Sequence, residues 1–159
     1  MSLRVGSGFD AHRLVPGRPL MLGGVRLEHD RGLEGHSDGD CLLHALCDAL
    51  LGAAAAGDLG THFPSDDPRW RGVASLELLA EVARMLRERG YAVENVDATL
   101  IAQAPRLAPH LEAMRAAISR CLGVAPDAVS VKAKSGDALG AIGRGEGIAA
   151  QAVALLRRA

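Results

Sequence analysis

A chain of 159 residues with a formal net charge of −1 has room for one domain, 1–159, around a buried core, and it shows no electrostatic footprint for a polyanion. Apolar residues make up 48% and aromatic ones only 3%, so the core must be aliphatic, and stacking on single-stranded nucleic acid is disfavoured. No apolar run reaches the roughly 20 residues that span a bilayer, and Cys41, Cys47 and Cys121 lack C-x-x-C spacing; a cytoplasmic protein with reduced thiols and no nucleic-acid or membrane partner is expected.

Leu3, Val5, Ser7 and Phe9 alternate with Arg4, Gly6, Gly8 and Asp10, which predicts a strand. Residues 16–19 form a turn, 21–27 read as a short strand or hairpin, and 29–35 as a polar loop. Ser37 suits a helix N-cap, with Asp38 and Asp40 in the first turn where the helix dipole favours negative charge. That helix runs through Leu42, Leu43, Leu46, Leu50 and Leu51 to Ala56 and stops near Gly57. Residues 57–68 show no periodicity, and loops of that length are usually functional or mobile. Residues 75–89 form an amphipathic helix ended by Gly90, and 96–103 a strand ended by Pro105. A second amphipathic helix covers 107–122, followed by a strand marked by Val129, Val131 and Ala133. A glycine-rich loop occupies 135–147, and 148–156 read as a closing strand, although the alanines there also suit a helix. The expected fold is an α+β sandwich, one mixed sheet with helices packed on one face. The other face needs a cover, for which self-association is the obvious candidate.

Asp10 and His12 lie two residues apart on an extended strand, so they share a face and bring one carboxylate near one imidazole. His44, beyond the segment His36-Ser37-Asp38-Gly39-Asp40, offers a third ligand and leaves a coordination position open for substrate. A two-histidine, one-carboxylate set suits zinc, but iron or manganese as well. Asp40, at i−4 from His44, is placed to orient its ring. The plain alternative is a core histidine satisfied by Asp40, with Asp10 and His12 merely exposed at a strand end. Gly136, Gly140, Gly143, Gly145 and Gly147 surround Lys134, Ser135, Asp137 and Arg144, a composition that lets backbone amides and cations approach a phosphate. The spacing is neither that of a P-loop nor of a dinucleotide fingerprint, and a flexible turn competes with the phosphate reading. Asp58, Asp66 and Asp67 around Phe63-Pro64 offer contacts to sugar hydroxyls or a cation, or else are N-cap aspartates of a solvated turn. Together these features point to a phosphorylated substrate handled with a divalent metal.

Gly8-Phe9-Asp10-Ala11-His12, His36-Ser37-Asp38-Gly39-Asp40, the run from His44 to Ala53, Gly57-Asp58-Leu59-Gly60, Ala102-Gln103-Ala104-Pro105 and Gly143-Arg144-Gly145-Glu146-Gly147 occur in that order. Over essentially its whole length the chain resembles the 2-C-methyl-D-erythritol 2,4-cyclodiphosphate synthase family of the non-mevalonate isoprenoid pathway. The resemblance implies a homotrimer with its sheets facing one another and active sites between subunits. It implies a phosphorus–oxygen lyase that cyclises 4-diphosphocytidyl-2-C-methyl-D-erythritol 2-phosphate and releases CMP. Carried over by position, Asp10, His12 and His44 would hold one zinc per subunit, with Asp10 and His12 also touching substrate, and Asp137 would hold a magnesium or manganese ion with the diphosphate. His36 and Ser135 match the positions of transition-state stabilisation. His36 and Ser37 would contact the methylerythritol phosphate, and Asp58 and Gly60 the erythritol hydroxyls. Phe63, Ser65 and Asp67 belong to the same set of contacts, as does Arg144. Ala102, Pro105, Arg106, Leu107 and Ala108, with Ala133, Lys134 and Ser135, would form the cytidine and phosphate pocket of the adjoining subunit.

Three stretches depart from the family pattern. Phe63-Pro64-Ser65-Asp66-Asp67 lacks the first carboxylate of the usual Phe-Pro-Asp-Thr-Asp. Lys134-Ser135-Gly136-Asp137 stands where Thr-Thr-Thr-Glu is common, which shortens the cation-binding side chain. Ala141 replaces a frequent Phe of the trimer's central cavity, where the family binds isoprenoid diphosphates.

Overall fold

A computed structural model describes residues 2–159. The chain opens on a 14-residue strand, β1 (Leu3–Pro16), longer than the expected one because its far end pairs with a strand the sequence reads as loop, β4 (Arg31–Leu33). Between them stands the hairpin of β2 (Leu20–Leu22) and β3 (Val25–Leu27), turned by Gly23 and Gly24, both at positive φ.

The main helix α1 spans Cys41–Ala53. It begins four residues beyond the expected cap at Ser37 and ends at Ala53 instead of Ala56. The cap is Asp40, whose side chain accepts from the Leu43 amide, as N-cap aspartates do. A short helix α2 (Leu59–His62), capped by Asp58, and a 3₁₀ turn at Pro68–Trp70 structure the stretch read as aperiodic loop. Helix α3 spans Ser75–Glu88 and leads into strand β5 (Tyr91–Ile101), which starts five residues before the expected strand. Pro109 belongs to a 3₁₀ turn, Ala108–His110, so the next helix, α4 (Leu111–Leu122), starts later than expected. Strand β6 (Val129–Lys134), one helical turn α5 (Gly140–Gly143) and strand β7 (Gly147–Arg158) complete the chain, so the closing segment is strand and not helix.

The sheet is mixed, in the order β4-β1-β7-β5-β6, with only β5 and β6 parallel. Helix α1 lies across β1 and β7, and its leucines Leu42, Leu43, Leu46, Leu50 and Leu51 are fully buried. Burial of one such side chain contributes about 1.5–3 kcal/mol, so this helix is the centre of the core. Its close approach depends on Gly6 and Gly8. A Cβ on either would stand 2.0 Å from a carbonyl oxygen of α1, that of Ala49 or Ala45 respectively. The even positions of β1 therefore face the helix and the odd positions face away. Leu3, Val5 and Phe9 are 57%, 69% and 64% exposed on that second face, and Val153, paired with Ser7, joins them.

Candidate active site

Alternation along β1 and the axis of α1 bring three side chains together. Asp10 and His12 project towards α1, and His44, one turn into that helix, meets them from above. Asp10 Oδ2 lies 2.7 Å from His12 Nε2 and 3.0 Å from His44 Nδ1, and the two ring nitrogens are 3.2 Å apart. Burial alone would raise the Asp10 carboxyl, but hydrogen bonds from His12 and His44 and their charges outweigh it and hold it well below the usual carboxylate range. The hydrogen bond to Asp10 raises His12 against the opposing effect of burial.

The outer ring nitrogens have their own partners. His12 Nδ1 donates to the Glu34 carbonyl at 2.5 Å. His44 Nε2 lies 3.0 Å from both Ser37 Oγ and Ser75 Oγ. This pattern leaves His12 Nε2, His44 Nδ1 and a carboxylate oxygen converging on one point, as metal-bound histidines with satisfied outer nitrogens do. Tetrahedral zinc with bonds near 2.0–2.1 Å separates its ligand atoms by about 3.3 Å, so the three atoms fit a small divalent cation after a slight spreading. This cluster could hold a metal ion.

Asp40 does not orient His44. At the N-cap its carboxylate turns back over the helix end, and it is consumed by the amides of Gly23 at 2.9 Å, Gly24 at 2.8 Å and Leu43 at 3.2 Å. The alternative in which His44 is a core histidine held by Asp40 falls with it.

The cluster opens into a cleft of about 290 Å³. The cleft collects Asp10, His12, His36, Ser37, His44, Asp58, Gly60, Phe63 and Ser65, nine of the positions singled out in the sequence. It is also lined by Asp48, Leu59, Trp70, Val73 and Leu78, which sequence reasoning missed. Asp48 carried a signal, since it sits at i+4 from His44 on the same helix face. Its carboxyl, raised by burial, accepts from the Leu59 amide at 2.7 Å and so ties α2 to α1. Asp58 caps α2 through Thr61, and Asp67 caps the 3₁₀ turn while pairing with Arg69. Asp67 does not line this cleft.

Ala102, Pro105, Arg106, Leu107, Ala108, Ala133, Lys134, Ser135, Asp137 and Arg144 also lie outside it. Asp10 pairs with Ala150, Ala150 with Leu100, and Leu100 with Ala133, so Ala133 stands on the same rung of the sheet as Asp10. Three strand spacings, roughly 14 Å, separate the two groups. The glycine-rich loop begins at that distant strand and returns to β7, where Gly147 pairs with Arg13 and the Glu146 carbonyl accepts from the Leu14 amide, next to His12.

The sequence profile of the YgbB family matches residues 3–157. The chain belongs to the YgbB family. A relative, the 2-C-methyl-D-erythritol 2,4-cyclodiphosphate synthase of Laribacter hongkongensis, is 59% identical over 99% of this chain and 97% of its own length. Among solved structures, the bifunctional IspDF of Campylobacter jejuni is 39% identical with a TM-score of 0.96; the match covers 99% of this chain but 43% of that one. A CDP-bound form of 2C-methyl-D-erythritol-2,4-cyclodiphosphate synthase is 39% identical with a TM-score of 0.89, over 97% of this chain and 100% of that one. These structures share the α+β arrangement described above.

Proposed function

We propose that the chain, read as one catalytic domain over 1–159, converts 4-diphosphocytidyl-2-C-methyl-D-erythritol 2-phosphate to 2-C-methyl-D-erythritol 2,4-cyclodiphosphate with release of CMP. The observation that carries this reading is the convergence of Asp10, His12 and His44 at the mouth of a polar cleft, in a chain 59% identical to a synthase of that name. It makes the protein a metal-dependent phosphorus–oxygen lyase. Because the substrate carries its own nucleophile, the 2-phosphate, the residues have only to position it and offset charge.

Asp10, His12 and His44 would hold zinc. When bound, the ion supplies Lewis-acid stabilisation of phosphate oxygens. His36 and Ser37 contact the methylerythritol phosphate, and Asp58 and Gly60 bind the diol. Phe63 and Ser65 wall the same cleft, and Asp67 contributes from beyond it. His36 and Ser135 offset charge at the phosphorus under attack. Asp137 would hold a magnesium or manganese ion, which would offset charge on the diphosphate, and Ala102, Pro105, Arg106, Leu107, Ala108, Ala133 and Lys134 receive the cytidine end. Arg144 adds a cation from the same loop, where it pairs with Glu146.

In this reading the cytidine-binding group at the end of β6 comes from a second copy, set against β1 of the first. The open sheet face, with Leu3, Val5, Phe9 and Val153 exposed, supports a homotrimer closed around that face. Phosphorus NMR of the protein with the cytidyl diphosphate substrate, zinc and magnesium tests the reaction. Two coupled diphosphate resonances of a ring product plus one equivalent of CMP are expected. CMP beside a linear phosphate would make the protein a phosphohydrolase, and no conversion by a zinc-loaded trimer would make it a non-catalytic metal-binding assembly.

A further inference from the structure

We propose that Ser75 is a positioning residue for His44, a role that rests on the reading of Asp10, His12 and His44 as a divalent-metal site. Ser75 is fully buried at the start of α3, 31 residues from His44 in sequence, with its Oγ 3.0 Å from His44 Nε2. Its hydroxyl proton is already committed, because Ser75 Oγ donates to Asp38 Oδ1 at 2.5 Å. Asp38 is itself held in place. Its second oxygen accepts from the Ser75 amide at 2.9 Å, the first also accepts from the Asp40 amide at 3.1 Å, and its own amide donates to the Val73 carbonyl at 3.1 Å.

A hydroxyl whose proton is spent can only accept from a third group. Ser75 therefore requires a proton on His44 Nε2, so the nitrogen free to exchange its proton for a cation is Nδ1, which faces Asp10 and His12. Ser37 is at the same distance from Nε2, but its hydroxyl has no carboxylate partner among the described residues and can serve as donor or acceptor. The tautomer is thus set by the chain Asp38–Ser75–His44. Outer-shell partners of this kind hold a ligating ring in the form the metal needs.

The test measures zinc affinity by competition with a chromophoric chelator, together with the visible bands of the cobalt-substituted protein and the melting temperature of the metal-free form. Ser75→Ala removes the acceptor and keeps the Asp38 contact to the residue-75 amide. It is expected to bind zinc 10–100-fold more weakly, with altered cobalt bands and a metal-free melting temperature close to that of the wild type. Asp38→Asn, which disturbs the same chain from its far end, is expected to weaken zinc in the same direction, and it carries the test if Ser75→Ala does not fold. Wild-type affinity in the variants, even with lowered stability, overturns the role of Ser75 and leaves the metal reading standing. A wild type that takes up neither zinc nor cobalt overturns the metal reading, and this inference with it.

Discussion

Asp10 and His12 were legible as neighbours because strand alternation is a local rule, and β1 obeys it from Leu3 onward. The partners of His44 were not legible. Asp40 has the right helical spacing, but the amides of Gly23 and Gly24 draw it away, and Ser75, 31 residues from His44, takes its place. What Asp40 does instead has a consequence in pH. Burial, with the charge of Asp38, pushes its carboxyl up to about 6 from 3.8, against the pull of the Gly24, Gly23 and Leu43 amides. Between those values the native chain keeps a proton that the unfolded chain has released. The stability this group contributes is therefore fully present below about pH 3.8 and is lost as pH rises through about 6. Chemical denaturation at about pH 4.5 and pH 7 should show wild type losing more stability over the interval than Asp40→Asn; parallel losses would remove Asp40 as the source.

At the level of elements, α3, the hairpin and the edge strand β6 were readable from periodicity and turn residues. The end of β1 and strand β4 were not, since each is defined by pairing across the fold, and the start of α1 was misplaced because Ser37 and Asp40 are both cap residues and only Asp40 reaches the Leu43 amide. The contact between β1 and α1 is the element-scale feature on which the site depends. His44 precedes Ala45, whose carbonyl crowds the missing Cβ of Gly8, and Gly8 stands two residues before Asp10. Gly8→Ala must push the helix from the strand, at a cost of about 1–3 kcal/mol, and move His44 away from Asp10. Gly52, whose added Cβ would meet only the Ser7 carbonyl at 3.9 Å, is the control. Gly52→Ala is expected to stabilise the helix by about 0.5–1 kcal/mol and leave zinc binding unchanged. Denaturation curves and zinc titrations of the two variants check both statements; a Gly8→Ala protein as stable as wild type would contradict the packing argument.

For the whole molecule, a sheet covered by helices on one side was readable from the order of elements, and the exposed side could be inferred to need a partner. That Asp10 and Ala133 share one rung, three strands apart, was not readable, because sheet order is not written in local pattern. If the open face closes a trimer, a charge placed in it must be desolvated without a partner. Val5→Asp combined with Phe9→Asp is expected to give folded monomers by sedimentation, with the cyclisation lost; an intact trimer would put the interface elsewhere.

The rung that carries Asp10 at one end and Ala133 at the other also makes inheritance of defects unequal in the proposed assembly. A chain damaged at His44 spoils the site on its own β1 edge, whereas one damaged at Ser135 spoils a neighbour's. Two such chains, each inactive alone, regain one undamaged site when they assemble together, so alleles of the two kinds complement each other while two of the same kind do not.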